Sequence, residues 1–216
     1  MSGESSGKII VIRPSDVSLK ISDITEKIIS GIMDAGAVDI VGLGDAVFLV
    51  CSALNLSCEI AKIYINQISF ENIEDPILGK TAAIFAHLAQ QESVDYEKLV
   101  VEEEKGLDNI SDRTISVGHD IPMEKLLTRS LMALVRFDEV KLIAAGGSIN
   151  EAISLALKLT AGQISRDTVG VKLIYLYSIS MRNDPAKRIS AISIYLQKGI
   201  TTGHSDFLKK LKIGTS

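Results

Sequence analysis

The sequence is poor in the residues that most often carry chemistry. It has two cysteines, three histidines and no tryptophan in 216 residues, and aromatic residues make up 5% of it. Cys51 and Cys58 lie seven residues apart in a segment that reads as helix. Two helical turns separate them by about 10 Å, too far for a disulfide. Both read as small buried hydrophobes in a reducing compartment. His87, His119 and His204 are scattered, with no Cys, Asp or Glu at ligand spacing, so there is no zinc pattern. No Walker loop, GxSxG elbow or HExxH helix is present. With no acid/base pair or nucleophile constellation either, the expectation is a protein that is not an enzyme and needs no cofactor. No apolar run reaches the roughly 18 residues of a membrane span, and the N-terminus MSGESSGK is polar. The expected location is the cytoplasm, with no membrane association.

What is present is a division of charge. The total is −4, which argues against indiscriminate binding to nucleic acid or anionic lipid. Residues 1–112, however, hold 8 Lys/Arg against 19 Asp/Glu, while residues 113–216 hold 15 against 8. The halves are therefore strongly acidic and clearly basic.

The same boundary separates two copies of one pattern. KIIVIR from Lys8 reads as a strand and SDITEKIISGIMDAG as a helix, with Ser22 as its N-cap and Gly36 as its stop. VDIVGL then reads as a strand, Gly44 as a turn and DAVFLVCSALNLSC as a helix capped by Asp45. EIAKIYINQISF and KTAAIFAHLA read as two strands on either side of ENIEDPILG. The second copy runs RTISVG, PMEKLLTRSLMALVRF with Pro122 in its first turn, EVKLIAA, and SINEAISLALKLTA with Ser148 and Glu151 at capping-box spacing. It ends with VGVKLIYLYSIS and ISAISIYLQ flanking the loop MRNDPAKR. Each copy is β-α-β-α-β-β. The reading gives an acidic domain at 8–89, an acidic linker at 90–112, a basic domain at 113–198 and a basic tail at 199–216, where Ser205 opens a short helix bearing Lys209, Lys210 and Lys212.

EVKLIAAGGSINEAISLAL, with its strand, Gly turn and helix, resembles the Alba family of archaeal chromatin and RNA-binding proteins, as does KRISAISIYLQK. VDIVGLGDAV and GKTAAIFAHL occupy the corresponding places in the more divergent first half. The resemblance implies a mixed α/β fold of two tandem Alba-like domains, and a family dimer that forms here within one chain as a pseudo-dimer. It also implies nucleic acid as the partner, gripped between extended hairpin arms, and a protein that is cytoplasmic or nucleoid-associated. The residues support the internal pairing on their own account: Ala46–Leu56 is apolar almost all round, and a helix of that kind must be covered on more than one side. Its counterpart leaves only Asn150, Glu151, Ser154 and Lys158 as a polar stripe.

The basic residues that the family carries beside the Gly turn are replaced by Leu43 and Asp45 in one half and by Ala145 and Gly147 in the other. The basic pair before the first helix is His119-Asp120 in the second half, and Lys20 is the nearest candidate in the first. Nucleic-acid contact is therefore expected from Arg182, Lys187 and Arg188 in the second arm, with Lys20, Arg113, Lys125 and the tail lysines contributing less. The first arm holds Glu71, Glu74 and Asp75, with Lys80 only at its end, and would repel phosphate. Phe70 and Ile73 there either pack on their own strand or contact a protein. The Gly146-Gly147-Ser148 turn either holds an anion or simply needs unhindered backbone, and Tyr64, Tyr175 and Tyr177 are expected in a core or an interface rather than stacked on bases. The alternative to nucleic-acid binding is an interaction module whose acidic half contacts a protein, with room for further homo-oligomerisation.

Overall fold

The computed structural model describes residues 8–16, 18–91, 110–161, 168–181 and 183–200. The first half contains β1 (Lys8–Ile12), α1 (Ile21–Ala35), β2 (Ala37–Leu43), α2 (Ala46–Ala61), β3 (Tyr64–Asp75) and β4 (Gly79–Ala89). After a single helical turn at Ile110–Arg113, the second contains β5 (Thr114–Ser116), α3 (Met123–Phe137), β6 (Glu139–Ala145), α4 (Ile149–Thr160), β7 (Val169–Met181) and β8 (Asp184–Lys198). Both halves have the β-α-β-α-β-β order read from the sequence. The fold is mixed α/β, with two four-stranded sheets ordered β1-β2-β4-β3 and β5-β6-β8-β7. In each sheet the first two strands are parallel, joined through a crossover helix, and the hairpin strands add antiparallel.

Local signals account for most boundaries. Gly36 adopts φ 78 and its N–H closes α1 on the Ile32 carbonyl, a left-handed cap that costs glycine least. α1 starts at Ile21, one residue before the expected cap Ser22, because the Asp23 carboxylate accepts the Lys20 N–H at 2.9 Å and fixes the turn there. α2 runs three residues past Cys58, through Glu59, Ile60 and Ala61, which the alternation of the sequence had suggested were strand. The helix closes only at Lys62, with φ 47. The two arms are also strand further toward their tips than composition suggested: β3 continues to Asp75, and β8 begins at Asp184 inside MRNDPAKR. Cross-strand pairing overrides the weak strand propensity of these polar residues.

One continuous apolar core joins the halves. It runs from Ile24, Ile28 and Ile40 through Val47, Val50 and Leu54 to Leu142, Ile153, Ala156 and Ile194. The helical layer follows the order α1, α2, α4, α3, with α2 against α4 at its centre, α2 under β7 and β8, and α4 under β3 and β4. Each hairpin thus crosses onto the other half's second helix. This explains why α2 buries residues on all sides, from Ala46 and Val47 to Leu54, Asn55 and Ser57. Within that helix Asn55 donates a hydrogen bond to Ser178 Oγ on β7 at 2.5 Å. Burial pushes the Cys51 thiol up to about 12. Burial and the neighbouring Glu59 carboxylate push Cys58 to about 11. Both thiols are thus protonated at neutral pH, which suits their reading as small hydrophobes.

Candidate nucleic-acid interface

The hairpin arms project beyond the line where β2 and β6 stop pairing, at Leu43↔Ala83 and Ala145↔Ala191. In the first arm only Gly79–Ala82 of β4 lie past that line, paired with Asn72–Asp75. Its tip is tied back. Asp75 is buried, and its carboxylate accepts the N–H groups of Ile77 at 2.9 Å and Leu78 at 3.0 Å while lying 3.5 Å from Arg13 Nε. The two backbone donors and the guanidinium hold this carboxyl below the usual carboxylate range. Ile77, at the tip, is 77% exposed. Phe70 is buried in the core, and Ile73 packs against Val41, Leu43 and Phe85 on the opposite sheet face, so both serve the arm's own packing.

The second arm reaches further. Asp184–Ser190 of β8 lie past the line, and between Arg188, opposite Ser180, and Asp184, opposite Met181, the residues Pro185, Ala186 and Lys187 bulge out of register. Residues 183–188 are all exposed. The Arg188 guanidinium donates to the Ser178 carbonyl at 3.3 Å and lies 3.7 Å from Glu59 at the end of α2. The arm is therefore moored on the acidic half by Arg188–Glu59 and Asn55–Ser178, while Lys187 stands exposed on the bulge. Arg182 and the tail lysines lie outside the described residues.

The remaining candidate cations do not share one environment. Lys20 is exposed at the start of α1, and Lys125 is exposed in the first turn of α3. Arg113 is drawn inward, with its guanidinium 3.2 Å from Glu139 and 4.9 Å from the Phe137 ring centre. Its charge is already matched by a half-buried carboxylate.

Between the halves, at the first Gly turn, lies a cleft of about 230 Å³ lined by Gly44, Asp45, Lys80, Thr81, Asn150 and Ser154. Lys80 thus belongs to this cleft as much as to its arm, and Asn150 contributes a buried Oδ1 that accepts no hydrogen bond among the described residues. Sequence reasoning had not singled out either residue for this place, because the cleft forms only when the two halves meet. On the second Gly turn the His119 ring lies so close that a Cβ on Gly147 would stand 2.6 Å from Nε2. His119 Nδ1 is 2.6 Å from Glu151 Oε1, so Glu151 is engaged by the imidazole rather than completing a capping box with Ser148. Gly147 provides room for this ring, which accounts for the residue without an anion.

The outer faces of the sheets also differ. Tyr175 and Tyr177 stack at 5.4 Å on β7, and beside them Lys141 lies 5.1 Å from the ring centre of the buried Tyr195. The matching cross-strand pair of the first sheet is Asp39 with His87, at 2.6 Å. Tyr64, by contrast, is exposed at the start of β3.

No protein-family model matches the sequence, and a search of curated proteins gives no match. Among solved structures the chain is similar to the crystal structure of ALBA1 from Trypanosoma brucei, at 23% sequence identity and a TM-score of 0.34. The match covers 47% of this chain and 82% of that one. Among the described residues no helix is long and apolar enough to cross a membrane, and no group of three or more His, Cys, Asp or Glu side chains is placed to hold a metal ion.

Proposed function

We propose that the chain binds nucleic acid, RNA or DNA, through the β7–β8 arm of its basic half. The observation that carries this reading is the arm itself: a two-stranded ribbon that extends past the sheet and displays Lys187 and Arg188. A ribbon of this kind fits a groove or a row of phosphates, where Lys and Arg supply position rather than sequence. Arg182, adjacent in sequence, adds a third cation, and Lys20 and Lys125 add weaker ones. With about three to five phosphates engaged, binding is modest and strongly dependent on salt. The test is an electrophoretic assay at low salt with single-stranded RNA and duplex DNA, comparing the wild type with an Arg182→Ala/Lys187→Ala/Arg188→Ala variant. Retardation that the triple variant loses supports the reading; equal retardation of both proteins overturns it.

A second reading is favoured by the tip of the other arm. Ile77 is 77% exposed and Leu78 36% exposed on an acidic hairpin tied back by Asp75 and Arg13, which is the character of a protein-docking finger rather than a phosphate-binding one. In that case an Ile77→Ser/Leu78→Ser variant would lose a protein partner while leaving any nucleic-acid binding intact.

A further inference from the structure

The outer surfaces of α1 and α3 correspond position by position and have acquired opposite characters. Along one stripe α1 exposes Glu26, Ser30 and Met33, with Lys27 and Asp34 beside it. Met33 is 74% exposed, a single apolar knob next to carboxylates. The matching residues of α3 are Thr128, Met132 and Val135, with Arg129 and Arg136 beside them. Met132 and Val135 are 67% and 75% exposed. Between α3 and the outer edge of β5 runs a groove of about 650 Å³ whose lining includes Leu131, Met132, Val135 and Phe137, together with Arg129 and Arg136. The Arg136 guanidinium lies 4.8 Å from the Phe137 ring centre and 3.8 Å from Asp112, in a largely exposed pair that contributes little by itself.

We propose that this groove receives α1 of a second copy of the same chain, with Met33 as the knob and Glu26 and Asp34 opposite Arg129 and Arg136. Two observations choose this occupant: the groove's cations are complementary to the carboxylates around Met33, and the knob and the groove are matching surfaces of one duplicated chain. The helices run α1, α2, α4, α3 across the molecule, so knob and groove lie at opposite ends. The contact is heterologous, so copies add head to tail. One helix face in one groove lies at the small end of specific interfaces, so the association is weak and weakens further with salt. It does not rest on nucleic-acid binding and is tested without nucleic acid.

The experiment is sedimentation velocity over a concentration series at low salt. The expected result is a weight-average sedimentation coefficient that climbs with concentration and falls back as salt is added. An Arg129→Glu/Arg136→Glu variant and a Glu26→Lys/Asp34→Lys variant should each remain monomeric. Mixed together they should associate in alternation, because the knob of each variant is complementary in charge to the groove of the other. The mixture also guards against misfolding, since neither variant can restore association unless it is folded. Lys27→Glu, which removes the one opposing charge from the α1 face, should strengthen association of the wild-type background. A concentration-independent monomer, or association that persists unchanged in both charge-reversed variants, overturns the proposal, as does a mixture that fails to associate.

Discussion

In the first half a strand glycine, Gly42, lies under Val50 of α2 so closely that a Cβ would stand 2.8 Å from a valine methyl. In the second half the corresponding residues are Ala144 and Ala152, both buried. Volume has been exchanged across the strand–helix seam, and the seam is close-packed in each copy. On the surfaces, by contrast, equivalent positions have not compensated each other but separated: Asp34 corresponds to Arg136, Asp23 to Lys125, and the Asp39–His87 pair to Lys141 over Tyr195. The core kept one fold while the exterior took on two electrostatic roles. That difference makes an internal pseudo-dimer more than a fused homodimer, because its two arms and two outer helices can do different things.

The largest predicted effect falls on the seam that unites the copies. Leu54→Ala in α2 should cost about 2–5 kcal/mol. Since the core is continuous, urea denaturation followed by circular dichroism should still show one transition for both halves. Two separate transitions in the wild type would show that the copies fold independently. Next, Gly42→Ala should destabilise by about 1–3 kcal/mol through overpacking. Adding Val50→Ala should restore most of that loss by recreating the alanine pair of the second half. A double variant no better than the sum of its parts would break the seam comparison.

Asp75 tests the moored arm. The backbone N–H groups of Leu78 and Ile77 hold its carboxyl below the usual carboxylate range in the folded state. Its contribution to stability is therefore complete above the unfolded carboxylate range and is lost as pH falls through the lower folded value. Asp75→Asn should lower the melting temperature at neutral pH and flatten the part of the acid-unfolding profile below about pH 4. The smallest effect concerns the other arm: Glu59→Gln frees Arg188 and removes a negative charge beside it, and should tighten RNA binding about two- to fivefold, as fluorescence anisotropy would report.

Much of this plan was legible in the sequence because repetition reinforced weak local signals. Gly44 and Gly146 marked the same joint in both halves, and the apolar circumference of Ala46–Leu56 required cover on a second side, which α4 and β7–β8 provide. The boundaries that strayed did so where pairing or packing overrides propensity, at Glu59–Ala61 and along both arms. The fates of individual cations were the least legible. Nothing near Arg113 announces Glu139, and nothing near Arg188 announces Glu59, since these partners meet only through the fold. Asn55, an amide in an apolar helix, likewise meets Ser178 of the other copy only through the fold.

The proposal that the basic half binds nucleic acid through its arm is most directly tested by the salt dependence of binding to single-stranded RNA. The logarithm of the association constant should fall linearly with the logarithm of salt concentration, with a slope of about −2 to −3.5 for three to five phosphates. Removing Lys187 and Arg188 should reduce that slope by about one to two. Binding with no salt slope, or a slope unchanged by the arm substitutions, would contradict it.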